Sequence, residues 1–130
     1  MFLRLISFDM TKREKVYEKY NGHCAYCGNE ISIKDMQIDH LIPKRLSHPQ
    51  GFDSYYFYEG LNKIENLMPS CRICNHYKRG YMLEDYRELL LSLHKRIEKI
   101  YIVRVAIRYG LLELKKFDGK FYFEKLDNKY

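Results

Sequence analysis

The apolar and polar positions of this 130-residue chain predict two helical regions of very different length. Thr11-Lys12-Arg13-Glu14 has the form of a capping box, and Asn21-Gly22 can adopt the left-handed conformation that ends a helix. We therefore expect a helix from about Lys12 to Tyr20. Its buried face would carry Val16 and Tyr20, whereas four basic side chains would remain largely in solvent: Lys12, Arg13, Lys15 and Lys19.

The second helical region lies in the C-terminal half of the chain. Apolar residues recur there at steps of three and four from Leu83 to Ile107, which predicts one long amphipathic helix or two with a bend. Its apolar stripe is either core or a surface for a second chain, so a homodimer through this helix is one expectation. A further short helix is expected from Ile73 to about Arg79, ending near Gly80.

Strand signals are short and few. Glu30 to Ile33 and Met36 to Ile42 flank a Lys34-Asp35 turn and predict a hairpin with His40 on its second strand. The segment from Lys116 to Phe121 contains an Asp-Gly turn and predicts a second hairpin at the C-terminus.

Between Pro43 and Glu65 the chain reads as a long loop. Its aromatic run from Tyr55 to Tyr58 either packs over the core or stacks on bases.

Composition narrows the class of protein. A net charge of +6 and a pI near 9.1 favour a polyanionic partner such as nucleic acid. The first eight residues are too short, and too interrupted by Arg4, for a signal sequence, and no apolar run approaches membrane length. We expect a cytoplasmic protein without membrane association.

The four cysteines form two Cys-x-x-Cys pairs, Cys24/Cys27 and Cys71/Cys74. Two such knuckles can close a tetrahedron of thiolates around a structural Zn²⁺. The alternative, two disulfides, suits a secreted protein better than a reducing compartment. Zn²⁺ binding would add stability to a fold whose hydrophobic core is expected to be modest.

A second group of residues has the chemistry of phosphodiester hydrolysis, which needs a base for water and a cation for the developing charge. His40 is the candidate base because imidazole changes protonation near neutral pH. Adjacent residues of a regular strand point to opposite faces, so Asp39 lies on the face opposite to that of His40. It is therefore better placed as a hard oxygen ligand to a divalent cation.

Taken together, Asp39-His40, Asn66-Leu67, Cys71-x-x-Cys74-Asn75 and Lys78 resemble the HNH nucleases, and the resemblance extends from about Arg13 to Gly80. It implies an α+β fold with a small ββα-metal (His-Me finger) core stapled by the four-cysteine zinc. The N-terminal helix, the long C-terminal helix and the terminal β-hairpin would surround this core. We expect residues 1–130 to form a single domain, with the motif core at about 13–80 and an extension at 81–130.

The resemblance also implies roles for individual residues. His40 would activate water, Asn66 would brace the loop and help to orient the histidine, and Asp39 and Asn75 would hold Mg²⁺ or Mn²⁺. His76 is an alternative metal ligand. Contacts to DNA phosphates are expected from five basic residues: Lys78, Arg79, Arg72, Lys44 and Arg45.

The function expected from this reading is a metal-dependent DNA endonuclease, resembling the stand-alone HNH proteins of phages and other mobile elements. One alternative is a non-catalytic zinc module that binds nucleic acid or protein. Another is an RNA-cleaving toxin with the same chemistry. His23 is flanked by a turn and a zinc ligand and is expected to pack rather than to catalyse, whereas His48 and His94 have no partner visible in the sequence.

Overall fold

The computed structural model describes residues 9–44 and 60–127, which divide into two compact units. The first unit contains the described residues up to 82 together with 121–127, and the second contains 83–120. The break after residue 82 lies close to the expected border between core and extension. The return of 121–127 to the first unit was not expected from the sequence, and a single domain over 1–130 stays a prediction.

Helix α1 spans Lys12–Glu18 and confirms the predicted N-terminal helix. Both hydrogen bonds of the capping box are present between Thr11 and Glu14. Asn21 and Gly22 follow with positive φ angles of 53° and 77°, so the chain leaves the helix as its turn chemistry predicts.

Four basic side chains of this helix were expected to lie largely in solvent, but two of them are half-buried and bond to backbone. Arg13 Nη2 donates to the carbonyl oxygens of Ile33 and Met36, at 2.6 Å each. Lys19 Nζ donates to the carbonyl oxygens of Ile64 and Leu67, at 2.8 Å each. Both cations therefore tie α1 to neighbouring backbone.

The sheet consists of two antiparallel strands, β1 at Gln37–His40 and β2 at Leu67–Ser70. Asp39 pairs with Met68 and His40 with Leu67. The predicted hairpin between 30–33 and 36–42 is therefore wrong. Arg13 occupies the carbonyls of Ile33 and Met36 that such a ladder would use, and all of β2 is buried, so β2 is the strand that covers β1.

A small hydrophobic core holds α1 against this sheet. Val16, Met36 and Leu67 are its buried residues, and Ile38 and Ile64 pack around them. Ile64 belongs to a 3₁₀ turn at Ile64–Asn66, which leads directly into β2. The core therefore fixes the positions of α1, β1 and the 3₁₀ turn relative to one another.

Helix α2 follows β2 directly at Arg72–Lys78 and packs on β1. Arg79 ends it with a φ of 51°. The predicted short helix is confirmed to within one residue at each end.

The second unit carries three helices in place of one long helix: α3 at Leu83–Leu91, α4 at Leu93–Glu98 and α5 at Tyr101–Arg108. Ser92 Oγ donates to the carbonyl of Leu89 at 2.8 Å, a back-bond that bends helices. Ile100 is extended, with ψ of 124°, and breaks the helix completely. The apolar stripe predicted helix in this region, as one long helix or two with a bend, and not the three helices that these two breaks produce.

The predicted C-terminal hairpin is also wrong. Gly119 has a φ of 87° and the N–H of Lys120 bonds Asp118 Oδ1, so the turn exists, but residues 122–127 form helix α6 (Tyr122–Asp127). The amides of Tyr122 and Phe123 donate to the carbonyls of Tyr26 and Ala25. These two amides are therefore bonded to the first cysteine knuckle and not to a strand of the predicted hairpin.

Several apolar side chains in and after α5 are solvent-exposed, notably Tyr101 at 76%, Ile102 at 69%, Tyr109 at 76% and Leu111 at 83%. Among the described residues, no helix is long and apolar enough to cross a membrane.

Candidate metal centre and active site

The four cysteines meet at one point of the first unit. Their sulfur atoms all lie within 4.8 Å of one another. In the first knuckle, Gly28 donates its N–H to the carbonyl of Cys24 at 2.9 Å and has a φ of 81°, which glycine adopts without strain. In the second, Cys71 caps α2 and its sulfur accepts from the N–H of Cys74 at 3.4 Å.

The donor set and its spacing fit a tetrahedral metal ion. Sulfur atoms around Zn²⁺ at about 2.3 Å stand about 3.8 Å apart, and Cys27 Sγ lies 3.8 Å from Cys71 Sγ. Four thiol groups of two knuckles thus have the chemistry and the separation of a structural zinc centre.

The thiols also perturb one another. A hydrogen bond from Cys74 lowers the pKa of Cys24 to about 4, and the same bond raises the pKa of Cys74. Burial raises the pKa of Cys27 to about 11. Four thiol groups so close together cannot all ionise without a compensating cation. Metal binding must therefore displace protons from this cluster.

Asp39 lies at the centre of a buried ionic contact. Lys78 Nζ is 3.0 Å from Asp39 Oδ2, with the two side chains 0% and 7% exposed. Tyr26 donates its hydroxyl to the same oxygen at 2.5 Å. Lys78 also donates to the carbonyl of His40 at 3.2 Å, so a single ammonium ties α2 to both residues of the Asp-His pair.

This arrangement changes the expectation for Lys78. A fully buried ammonium with two protein partners is not available to a phosphate in this structure, contrary to the phosphate contact that the sequence resemblance implied. Asp39 keeps one carboxylate oxygen, Oδ1, without a hydrogen-bond partner among the described residues.

Asn75 lies on the same side of β1 as Asp39. Its Nδ2 is 3.5 Å from Gln37 Oε1, and side chains two residues apart on a strand share a face, as Gln37 and Asp39 do. One turn of α2 separates Asn75 from Lys78, so the two contacts run along the same helix face. A carboxylate and a carboxamide are thereby brought to the interface of β1 and α2.

The imidazole of His40 points to a different neighbour. Its Nε2 lies 2.9 Å from Asn62 Oδ1. An amide oxygen can only accept, so in the neutral ring Nε2 carries the proton and Nδ1 keeps its lone pair. No described contact joins the imidazole to Asp39 or Asn75; the link to Asp39 runs through the backbone carbonyl of His40 and Lys78.

Asn66 braces the turn that follows β1. Its Oδ1 accepts from the N–H of Ile42 at 2.8 Å, and its Nδ2 donates to the carbonyls of Ile42 and Leu61 at 3.1 and 2.9 Å. The side chain is 8% exposed. Asn66 thus connects the segment after His40 to the segment that carries Asn62.

The remaining basic candidates differ in accessibility. Arg72, Arg79 and Lys44 are exposed, as is His76 on α2. Arg45 and the run from Tyr55 to Tyr58 lie outside the described residues.

Sequence reasoning missed Tyr26 and Asn62, the partners of Asp39 and His40. Tyr26 lies inside the first Cys-x-x-Cys pair, where any residue type is compatible with the spacing. Asn62 lies in a stretch that reads as loop. Neither position carried a signal, because both contacts join segments that are distant in sequence.

Comparison with known proteins supports the sequence resemblance. Residues 24–79 match the family model of the HNH endonucleases. YoqL of Bacillus subtilis (strain 168), named as an SPbeta prophage-derived HNH endonuclease, is 27% identical over 73 residues, which is 56% of this chain and 30% of YoqL. The CRISPR-associated endonuclease Cas9 of Corynebacterium diphtheriae is 32% identical over 66 residues, 51% of this chain and 5% of that protein.

Among solved structures, the Type II-C Cas9 of Actinomyces naeslundii aligns with a TM-score of 0.45 and 21% identity over 66% of this chain and 9% of that one. By the coverages given above, the chain spans less than a third of the length of YoqL and of the Corynebacterium diphtheriae Cas9.

Proposed function

We propose that residues 24–79, which match the family model of the HNH endonucleases, form a domain of that family, and that the chain is a metal-dependent endonuclease that hydrolyses DNA phosphodiester bonds. A domain of this family implies nuclease activity. The observation that carries the finer proposal is the Asp39–Lys78–His40 contact, which fastens both residues of the motif's Asp-His pair to the helix that carries Asn75.

In the proposed reaction His40 is the general base. With the proton of Nε2 held by Asn62, the free lone pair of Nδ1 accepts a proton from water as that water attacks phosphorus. A positioned base of this kind contributes about 10²–10⁴-fold to rate.

Asp39 and Asn75 are the proposed ligands of the catalytic cation. The carboxylate oxygen of Asp39 that neither Lys78 nor Tyr26 contacts, and the amide oxygen of Asn75, are hard donors that suit Mg²⁺ or Mn²⁺. Such an ion, when bound, stabilises the negative charge that develops on the phosphate and on the leaving 3′ oxygen. Lys78 and Tyr26 are then positioning residues, since they hold the carboxylate from behind.

The four-cysteine centre is proposed to bind Zn²⁺ for structure alone. Its ligands come from the segment before β1 and from the start of α2, so the ion joins the two segments that flank the sheet. Exposed Arg72, Arg79 and Lys44 are the proposed DNA contacts nearest to the motif, and Arg45 remains a prediction.

The first experiment compares cleavage of supercoiled plasmid by the zinc-loaded protein in Mg²⁺, in Mn²⁺ and in chelator. We expect metal-dependent nicking, and we expect His40→Ala to lose about 10²–10⁴-fold in rate while keeping its zinc content and circular dichroism. His94→Ala is the matched control, because it removes a histidine of α4 to which the proposed reaction gives no role.

Wild-type rates in His40→Ala would refute the base assignment. Absence of cleavage by the wild type with either metal would refute the proposal that the protein is a nuclease.

A non-catalytic zinc module is the second candidate. The buried pair of Asp39 and Lys78 favours it, because this contact gives Asp39 a structural task that needs no catalysis. Such a module would bind DNA without cutting it in the same assay. An RNA-cleaving toxin would instead cut RNA in preference to the matched DNA.

The exposed apolar residues of α5 support a homodimer through the C-terminal helices. Sedimentation of the wild type and of Ile102→Glu tests it, since a charge at this 69% exposed position should leave only monomer if α5 forms the interface. A monomeric wild type would reject the dimer. The prophage origin stated in the name of YoqL fits a mobile-element setting for this chain, which is likewise a proposal.

A further inference from the structure

A groove with several lysines opens beside the candidate base. It has a volume of about 460 Å³ and is lined by residues of α1 and of the segment around the 3₁₀ turn: Lys12, Lys15, Asn62, Lys63, Ile64 and Glu65. None of the three lysines is among the motif residues that carry the resemblance to the HNH nucleases.

The walls of this groove are held in place by the core. Val16 of α1 packs in the same cluster as Ile64, and Lys19 donates to the carbonyls of Ile64 and Leu67. The helix and the turn therefore keep their separation without help from the groove lysines.

The groove lysines differ from the other cations of α1 in what they contact. Arg13 and Lys19 are committed to backbone carbonyls, whereas Lys12, Lys15 and Lys63 are exposed. Among the described residues these three make no ion pair. Glu65, the acidic residue of the groove, faces Lys19 and raises its pKa against the larger lowering by burial. The groove is thus net positive.

The geometry links this groove to the candidate active site. Asn62 lines it, and Asn62 Oδ1 is 2.9 Å from Nε2 of His40. Lys12 and Lys15 are three residues apart on one helix face, with Cβ atoms about 5–6 Å apart, which allows them to meet neighbouring phosphates of one strand.

We propose that Lys12, Lys15 and Lys63 bind the phosphate backbone of the DNA beside the scissile phosphate, so that the substrate strand runs along this groove to His40. This inference rests on the proposed function and specifies where its substrate lies. Contacts of this kind position a duplex without reading its sequence.

The test compares two variants that lose the same charge. The groove variant carries Lys12→Gln, Lys15→Gln and Lys63→Gln. The control carries Lys95→Gln, Lys99→Gln and Lys116→Gln, three exposed lysines of the second unit.

Binding of a fluorescent duplex is measured in the His40→Ala background as a function of salt. Each lost phosphate contact reduces the slope of log K against log salt by about 0.9, so the groove variant should lose about 2–3 units and the control less than one. In the cleaving protein, the groove variant should raise KM about tenfold or more and leave kcat within about threefold, as expected for lost backbone contacts.

Equal salt slopes in the two variants would overturn the groove assignment even if the wild type cleaves DNA normally. A wild type that binds but never cleaves would defeat the proposed function and leave the slope comparison valid. Should the groove variant fail to fold, acetylation of wild-type lysines read by mass spectrometry decides instead. DNA must protect Lys12, Lys15 and Lys63 more than Lys95 and Lys99, and equal protection rejects the inference.

Discussion

Replacing Lys78 by methionine should destabilise the protein strongly, because it leaves the Asp39 carboxylate buried without its cation. The ammonium is fully buried, 3.0 Å from Asp39 Oδ2, and also holds the carbonyl of His40. Methionine keeps the length and apolar volume of the lysine stem, so the change removes mainly the charge and its hydrogen bonds.

The expected loss follows from this geometry. Unit charges at this separation interact by about 5–6 kcal/mol at an effective dielectric constant of about 20. Removal of one partner of a buried pair typically costs about 3–5 kcal/mol. Tyr26 still donates to the carboxylate, so we expect the lower end, about 3 kcal/mol.

The measurement is the free energy of unfolding in urea, followed by circular dichroism of the zinc-loaded protein. Asp39→Asn and the double variant complete a mutant cycle. The double variant should recover about 2 kcal/mol relative to the sum of the single changes, since no unpaired charge then remains buried. Lys95→Met, an exposed lysine, should stay within about 0.5 kcal/mol of the wild type.

A loss below about 1 kcal/mol in Lys78→Met, or additive effects in the cycle, would contradict the reasoning. The first result would mean that the ammonium is not needed to hold the buried carboxylate. The second would mean that Lys78 and Asp39 act independently.

Three further outcomes follow from the described contacts. Asn62→Ala should lower kcat about tenfold with KM nearly unchanged, because the His40 tautomer loses its acceptor, and Asn62→Asp, which keeps one, should retain kcat; equal kcat in both would contradict this. Gly28→Ala should cost about 1 kcal/mol or more in urea unfolding, since φ is +81° and an added Cβ would lie 2.7 Å from Tyr122 Cδ1; an unchanged midpoint would contradict it. Zinc should leave as pH falls, because protons compete with the metal for the cysteine thiolates, so stability due to zinc is present at neutral pH and lost on acidification. Zinc released to a chromogenic chelator measures this, and retention independent of pH would argue against thiolate ligation.

Local chemistry determined much of the first unit. The capping box and Asn21-Gly22 specify α1 because each hydrogen bond joins residues within one turn of chain. The cysteine spacing predicted the convergence of four sulfurs, since each Cys-x-x-Cys is itself a local structure that directs two thiols to one point. The Asp-His pair and Asn75 carried the family resemblance that the match over residues 24–79 bears out.

The tertiary structure alone decided which segments pair. β1 pairs with β2 and not with the preceding segment, residues 30–33. The carbonyl groups of Ile33 and Met36 accept hydrogen bonds from Arg13 instead. Lys78 points into the interior, where its ammonium group neutralises the buried carboxylate of Asp39. The C-terminal segment forms a helix whose first amides bond to the first cysteine knuckle. Each outcome depends on competition for a partner far away in sequence, and hydrophobic periodicity does not report which partner wins.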